Sequence, residues 1–100
     1  MTEKEPLPSW LKETEQGMSI TLKYKATING ITVDKLSMRS PSVRDTRVAR
    51  ELAEGDNAKL ELNLFASLTD SHINDLESLT ERDYRRLQAG YFRLVSEDEL

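Results

Sequence analysis

The chain of 100 residues has no cysteine, one histidine, four glycines and three prolines. Without cysteine, disulfides and thiol chemistry are excluded. Four scattered glycines do not build a phosphate-binding loop, and His72 has no second ligand at the spacing of a metal site. Carboxylates are plentiful, but no pair lies in a pattern that would separate two pKa values for acid–base catalysis. We therefore expect no enzyme, no cofactor and no metal site.

A surplus of positive charge and long apolar runs are also missing. The chain has 14 basic and 18 acidic residues, a net charge of −4, and 37% hydrophobic residues. An acidic globular domain favours a protein partner over nucleic acid. No apolar run approaches the roughly 18 residues of a membrane span, and "MTEKEPLPSW" lacks the apolar stretch of a signal peptide. We expect a cytoplasmic protein without a membrane partner.

The two ends of the chain are polar. Residues 1–17 combine many charges with few apolar side chains, which predicts a flexible acidic arm, and residues 96–100 predict a frayed acidic tail. A single domain is then expected over 18–95. Within the arm, Ser9 can cap one short helical turn carrying Trp10 and Leu11. Those two side chains either cover the domain's own core, which we favour, or form a partner site.

A β-hairpin is predicted after the arm. Apolar and polar residues alternate strictly from Met18, as in a half-buried strand. The apolar positions of this strand are Met18, Ile20, Leu22, Tyr24, Ala26 and Ile28. Asn29-Gly30 then has the residues of a two-residue type I′ turn, which sets Ile28 opposite Ile31.

In the second strand of the hairpin, the apolar residues switch from odd-numbered to even-numbered positions. Val33, expected opposite Ala26, occupies an odd position, whereas the later apolar residues occupy even positions. One extra residue near Asp34-Lys35, forming a β-bulge, restores a single apolar face. In that register Leu36 lies opposite Tyr24 and Met38 lies opposite Leu22.

Two helices are predicted after Pro41. Ser42 and Asp45 have the spacing of a capping box for a helix that runs to Glu54 and ends at Gly55. One face of this helix carries Val48, Ala49, Leu52 and Ala53. Its other face carries Arg44, Arg47, Arg50, Glu51 and Glu54. The arginines suit phosphates, but the neighbouring glutamates nearly neutralise them and favour a solvated surface.

The second helix, capped by Asp56 and spanning about 57–68, has apolar residues on two sides. One stripe contains Leu60, Leu64 and Leu68, and the other contains Ala58, Leu62, Phe65 and Ala66. Because the stripes cannot share one neighbour, one packs in the core and the other packs elsewhere in the domain or on a partner. We favour core positions for Phe65 and Leu62, and leave Leu60 and Leu64 open.

Two further helices complete the predicted fold. Asp70 or Ser71 starts a short helix with Ile73, Leu76 and Leu79. Thr80 with Asp83 caps the last one, whose apolar face is Tyr84, Leu87, Tyr91, Leu94 and Val95. The predicted fold class is α+β, with an N-terminal β-hairpin of two antiparallel strands packed on a small bundle of three to four α-helices. The partner-binding candidates are Trp10, Leu11, Leu60, Leu64, Arg44 and Arg47.

Three segments in order resemble a known family. They are "ITLKYKATINGITVDKLSMRSPSVRD", "LFASLT" and "DLESLTERDYRRLQ". The matching positions of the first are Leu22, Gly30, Leu36, Arg39, Pro41 and Asp45. Those of the last are Asp75, Leu76, Leu79, Asp83, Tyr84, Leu87 and Gln88. Over about 20–91 the chain resembles the phage tail assembly chaperones of the Mu-like type, although Asp70 and Ser71 replace the glycine and large apolar residue common there.

The resemblance implies a non-enzymatic assembly factor in the cytoplasm of a bacterial host. Such a protein binds the helical tape-measure protein, keeps it soluble and helps tail tube subunits assemble around it. Members of the family are often made together with a frameshifted longer form. From the residues alone a second class stays open, namely a small regulatory protein that binds nucleic acid or a regulatory partner.

Overall fold

The computed structural model describes residues 7–96 and has a three-stranded antiparallel sheet followed by helices. The strands are β1 (Leu11–Glu13), β2 (Gly17–Ile28) and β3 (Ile31–Arg39), in the order β1-β2-β3. The helices are α1 (Val43–Ala53), α2 (Asn57–Thr69), α3 (Ile73–Glu77) and α4 (Glu81–Val95). The α+β class with segregated strands and helices is thus confirmed. Residues 1–6 and 97–100 of the predicted arm and tail lie outside the described residues.

The sheet has three strands where two were predicted. The Leu11 amide donates to the Pro8 carbonyl at 3.0 Å, which closes a turn at the point where a helical turn was expected. The chain then pairs with β2, with Leu11 opposite Ile20. A strand of three residues is too short to show an alternating pattern, so its pairing depends on the neighbouring strand. Leu11 is 5% exposed and belongs to the core, whereas Trp10 is half-buried against it.

The tip of the hairpin is as predicted. Asn29 and Gly30 have φ values of 54° and 79°, the pair of positive angles that a type I′ turn requires. Ile28 pairs with Ile31, as expected from a two-residue loop. The Asn29 amide also donates to the Asp75 carboxylate at 3.0 Å, which ties the turn to α3.

The register beyond the tip differs from the prediction. Thr21 pairs with Lys35 and Ala26 pairs with Val33, so residues 22–25 of β2 lie opposite Asp34 alone. The irregularity is therefore on β2 and is larger than the one-residue bulge predicted at Asp34-Lys35. Leu36 pairs with Ile20 and Met38 with Met18, in place of the predicted partners Tyr24 and Leu22.

A distant carboxylate explains this irregularity. Asp83 of α4 is 1% exposed and accepts hydrogen bonds from the Lys23 amide at 2.6 Å and the Tyr24 amide at 3.1 Å. Two successive amides that bind the two oxygens of one carboxylate cannot alternate as in a regular ladder. Tyr24 is consequently turned outward and 52% exposed, while Leu22 and Leu36 are each 6% exposed.

Most helix ends follow the predicted capping signals. Ser42 and Asp45 form the complete capping box of α1, and its C-cap, Glu54, has a φ of 49° before Gly55. Asp56 caps α2 by accepting from two backbone amides. Thr80 caps α4, as predicted, but α3 starts after His72 rather than after Asp70 or Ser71. Asp70 instead ends α2 in the left-handed conformation.

The helices cover the apolar face of the sheet. α4 packs on β2, α2 packs on β3, and α1 packs on α2. The largest fully buried hydrophobic side chains are Phe65, Ile20, Met38, Leu76 and Leu87. Phe65 lies at the junction, with ring centroids 5.7 Å from Tyr84 and 5.3 Å from Tyr91. Over residues 7–96, no helix is long and apolar enough to cross a membrane.

Candidate protein-binding surfaces

The six sequence-predicted candidate residues are spread over the molecule. Leu11 and Leu64 are 5% and 2% exposed and form part of the core, so neither offers surface in this conformation. Trp10, which immediately precedes β1, and Leu60, on α2, are half-buried. Arg44 and Arg47 are exposed on α1. The structure therefore does not bring these residues together into one site.

Trp10 connects the first strand to the last helix. The Arg86 guanidinium lies 4.8 Å from the centroid of the indole ring, and its Nη1 donates to the Thr21 carbonyl at 2.7 Å. The Thr21 amide in turn donates to the Trp10 carbonyl at 2.8 Å. Cation–π stacking and these two hydrogen bonds together fix Trp10 against α4. Arg82 and Arg85 line the adjoining shallow surface.

The outer face of α1 carries charges and two apolar side chains. Arg47 and Glu51 form an i,i+4 ion pair at 2.9 Å with both side chains more than half exposed, so the pair contributes little stability. The apolar face predicted for this helix is only half correct. Ala49 and Ala53 are buried, but Val48 and Leu52 are 41% and 61% exposed. The small alanine side chains allow α1 to approach α2 closely, whereas Val48 and Leu52 remain partly exposed to solvent.

The start of α1 is fixed to the end of β3. Arg39 donates to the two carboxylate oxygens of Asp45 at 2.7 and 3.1 Å, and also to the Ser67 hydroxyl at 3.2 Å. The Ser42 amide donates to Asp45 at 2.8 Å. The Arg39 hydrogen bond, followed by the Ser42 amide, holds the pKa of Asp45 far below its usual range. This cluster gives the Arg39-x-Pro41 segment a structural role.

A groove opens between α2, α3 and α4, with a volume of about 320 Å³. We call it the three-helix groove. Its apolar floor consists of Leu62, Leu76, Leu79 and Tyr84, and its acidic rim consists of Glu61, Glu77 and Glu81. Leu76 is 1% exposed at the bottom, whereas the other three floor residues are half-buried. Among residues 7–96, no basic side chain lines the groove.

Hydrogen bonds hold one wall of the groove in place. Glu61 accepts from the Tyr84 hydroxyl at 2.8 Å and from the Gln88 amide at 2.9 Å. Burial, and then the hydrogen bond to the Glu61 carboxylate, raise the pKa of Tyr84 above its usual value. The phenol therefore stays a neutral donor to the Glu61 carboxylate.

The groove was not predicted from the sequence. Its four floor residues were recognised as apolar helix positions, but they were assigned to helix faces one at a time. Whether these side chains share one depression depends on how the three helices pack against each other, which the pattern of a single helix does not show. The distant pairing of Glu61 with Tyr84 carries no local sequence signal.

The outer edge of β3 is a further surface. In the strand order β1-β2-β3, β3 pairs on one side with β2 and no strand of the described chain pairs with its other side. Unpaired edge strands accept added strands from partners. Ile31, at the tip of the hairpin, is 65% exposed.

Clustered metal ligands are not found in residues 7–96, where no group of three or more His, Cys, Asp or Glu residues converges. His72 is an exposed residue at the start of α3.

Comparison with known proteins identifies one family. The family model described as "Phage tail assembly chaperone proteins, E, or 41 or 14" matches residues 19–96. The match covers β2 from its third residue, β3 and helices α1 to α4, and it includes each segment on which the resemblance was based. Neither the curated proteins nor the solved structures contain a significant match to the chain.

Proposed function

Since the chain belongs to the family of phage tail assembly chaperones, we propose that it binds the tape-measure protein and assists assembly of the tail tube around it. The observation that carries the proposal is the extent of the family match, which covers nearly the whole described fold. A long helical client exposes apolar stripes before the tube encloses it. Binding to those stripes keeps the client from aggregating.

The surfaces of the domain support this role. The three-helix groove accepts a helix, and the free edge of β3 accepts an extended segment, which are two recurring modes of peptide binding. Tail tube protein and a frameshifted longer form of the chain are further proposed partners. The proposed location is the cytoplasm of the bacterial host.

Co-expression with the tape-measure protein of the same phage or prophage tests the proposal. We expect the tape-measure protein to stay in the supernatant and to co-purify with the tagged chain. Expressed alone, it should pellet. A tape-measure protein that pellets equally in both cases and never co-purifies would contradict the proposed function.

The alternative function, a small regulator that binds nucleic acid, depends on the arginines. Arg82, Arg85 and Arg86 line one surface beside Trp10, but Arg86 is engaged by the Thr21 carbonyl and the indole ring. On α1, Arg47 is paired with Glu51. Retention on duplex DNA that falls steeply with salt concentration would favour the regulator, and flow-through at low salt would favour the chaperone.

A further inference from the structure

The three-helix groove has the form of a site for a helix. Leu62, Leu79 and Tyr84 stand half-buried around Leu76, so the floor of the groove presents several partly exposed apolar side chains in one depression. Isolated exposed apolar side chains are ordinary on a protein surface, whereas several that share one depression indicate an interaction site. Helix-in-groove recognition uses apolar anchors at positions i, i+3 or i+4, and i+7.

The charges at the rim restrict what the groove accepts. Glu61, Glu77 and Glu81 border the floor from α2, α3 and α4 respectively, and no lysine or arginine of the described chain lines it. Glu77 and Glu81 are exposed. Carboxylates on three sides repel an acidic ligand and favour lysine or arginine beside the apolar anchors.

On these grounds we infer that the three-helix groove binds a basic amphipathic helix of the tape-measure protein, whose apolar stripe covers Leu62, Leu79 and Tyr84 while flanking lysines or arginines meet Glu77 and Glu81. This inference rests on the proposed function and adds the site and the chemistry of the segment. Complementary charge is the argument for this occupant over an acidic or uncharged helix.

Tyr84 and Gln88 position the Glu61 carboxylate through hydrogen bonds. Both side chains donate to the same carboxylate oxygen, at 2.8 and 2.9 Å, so the carboxylate is held at the rim before a ligand arrives. A preorganised charge avoids part of the side-chain ordering cost of binding.

The test measures the affinity of the full chain for overlapping helical fragments that tile the tape-measure protein. We expect the tightest fragment to carry lysine or arginine beside its apolar stripe. The double variant Glu77→Lys/Glu81→Lys should bind it about tenfold more weakly or worse, because like charges then face each other. Leu79→Ala should weaken binding in a way that is insensitive to salt.

The matched control is Glu51→Lys/Glu54→Lys on α1, which makes the same change of net charge at exposed positions outside the groove. The control should bind with unchanged affinity, and circular dichroism with thermal melting should show that every variant is folded. In the fragment, lysine or arginine changed to glutamine should reproduce the loss.

The possible outcomes distinguish failure of the groove assignment from failure of the proposed chaperone function. A wild-type chain that binds no fragment contradicts the proposed function. A wild-type chain that binds, while folded Glu77→Lys/Glu81→Lys and Leu79→Ala bind equally well, overturns the groove assignment and leaves the function intact. Loss confined to the α1 control, or a groove that instead mediates dimers of the chain in solution, also overturns it.

Discussion

Two aspartates occupy equivalent helix positions and have different roles. Asp45 and Asp83 each lie three residues after a capping hydroxyl, Ser42 and Thr80. Asp45 turns back to its own cap and completes a capping box. Asp83 also donates its amide to the cap hydroxyl, but its carboxylate reaches across to two amides of β2. The same short motif therefore caps the helix in both places, while the aspartate carboxylate completes the cap in one and joins the helix to the sheet in the other.

Replacing Asp83 should be among the most costly single changes. Asp83→Ala leaves the Lys23 and Tyr24 amides without their acceptor, which should lower the free energy of unfolding by about 3 kcal/mol. Asp56→Ala is the matched control, because exposed Asp56 also accepts from two amides, and it should cost only about 1 kcal/mol. Urea denaturation checks both values. Equal losses for the two variants would show that the buried contact has no special weight.

Acid should weaken the domain through Asp45. Because the Arg39 hydrogen bond and the Ser42 amide lower its pKa in the folded state, the folded chain binds this proton less readily than the unfolded chain. The resulting stabilisation is fully present above the unfolded pKa, about 3.9, and is lost as pH falls from there towards the folded pKa. Melting temperatures of the wild type and Asp45→Asn should therefore converge as pH is lowered below about 4.

Arg39→Gln provides the second arm of that experiment. It removes the leading cause of the low pKa while the Asp45 carboxylate and the Ser42 cap remain. Its melting temperature should fall less steeply than that of the wild type over the same acidic range. A wild type and two variants with parallel acid profiles would mean that the pair makes no contribution to folding.

At the scale of whole elements, local signals predicted what local contacts determine. The type I′ turn at Asn29-Gly30 and the cap residues Ser42, Asp56 and Thr80 were readable because each involves neighbours within about four residues. The irregularity of β2 was not readable, since its cause, Asp83, lies 60 residues beyond Lys23. The switch of apolar residues from odd to even positions in β3 indicated that the register changes. It did not indicate that the irregularity lies on β2.

The two stripes of α2 illustrate the same limit. Periodicity separated them, and Phe65 was assigned to the core, where it is 0% exposed. Periodicity did not show that Leu64, on the other stripe, is 2% exposed. α2 packs on α1 as well as on β3, so both of its sides face other elements of the domain. A single helical wheel contains no information on how many neighbours surround it.

A charge at Leu64 should unfold the domain, whereas the same charge at Leu60 should not. Leu64→Lys places an ammonium in the core and should remove several kcal/mol, on the order of the whole stability of a small domain. Half-buried Leu60 leaves room for a lysine stem to lie along the surface with its charge in water. Thermal melting separates the two variants. A cooperative, wild-type-like melt for Leu64→Lys would contradict the burial of that side chain.

Leu60→Lys also tests a partner contact, because the variant should remain folded. Reduced capture of the tape-measure protein by this folded variant would assign a contact to Leu60. Undiminished capture would remove Leu60 from the proposed binding surface and leave the three-helix groove as the site to examine on α2.

At the scale of the molecule, binding surfaces arise where elements meet. The sequence indicated an acidic protein-binding domain, and the acidic rim of the three-helix groove agrees with that balance of charge. The place of the proposed site did not follow, since its lining residues come from three helices and the α3–α4 connection and are spread from Ala58 to Tyr84 in the chain. Of the six candidates named from local patterns, none lines this groove.

The last prediction concerns the metal content and hydrolytic activity of the whole protein. The chain has no cysteine and one histidine, so a bound transition metal would need several carboxylates within about 2.2 Å of it. In the part of the chain that the structure describes, no three ligand residues converge, and the buried carboxylate of Asp83 is already occupied by two backbone amides of β2. After dialysis we expect far less than one equivalent of zinc or manganese by elemental analysis, and a melting temperature that a chelator does not change.

Ester and phosphoester substrates should be hydrolysed no faster than in buffer. One equivalent of either metal that survives dialysis and raises the melting temperature would show that the chain assembles a site from oxygen ligands, and would reopen catalysis as a function.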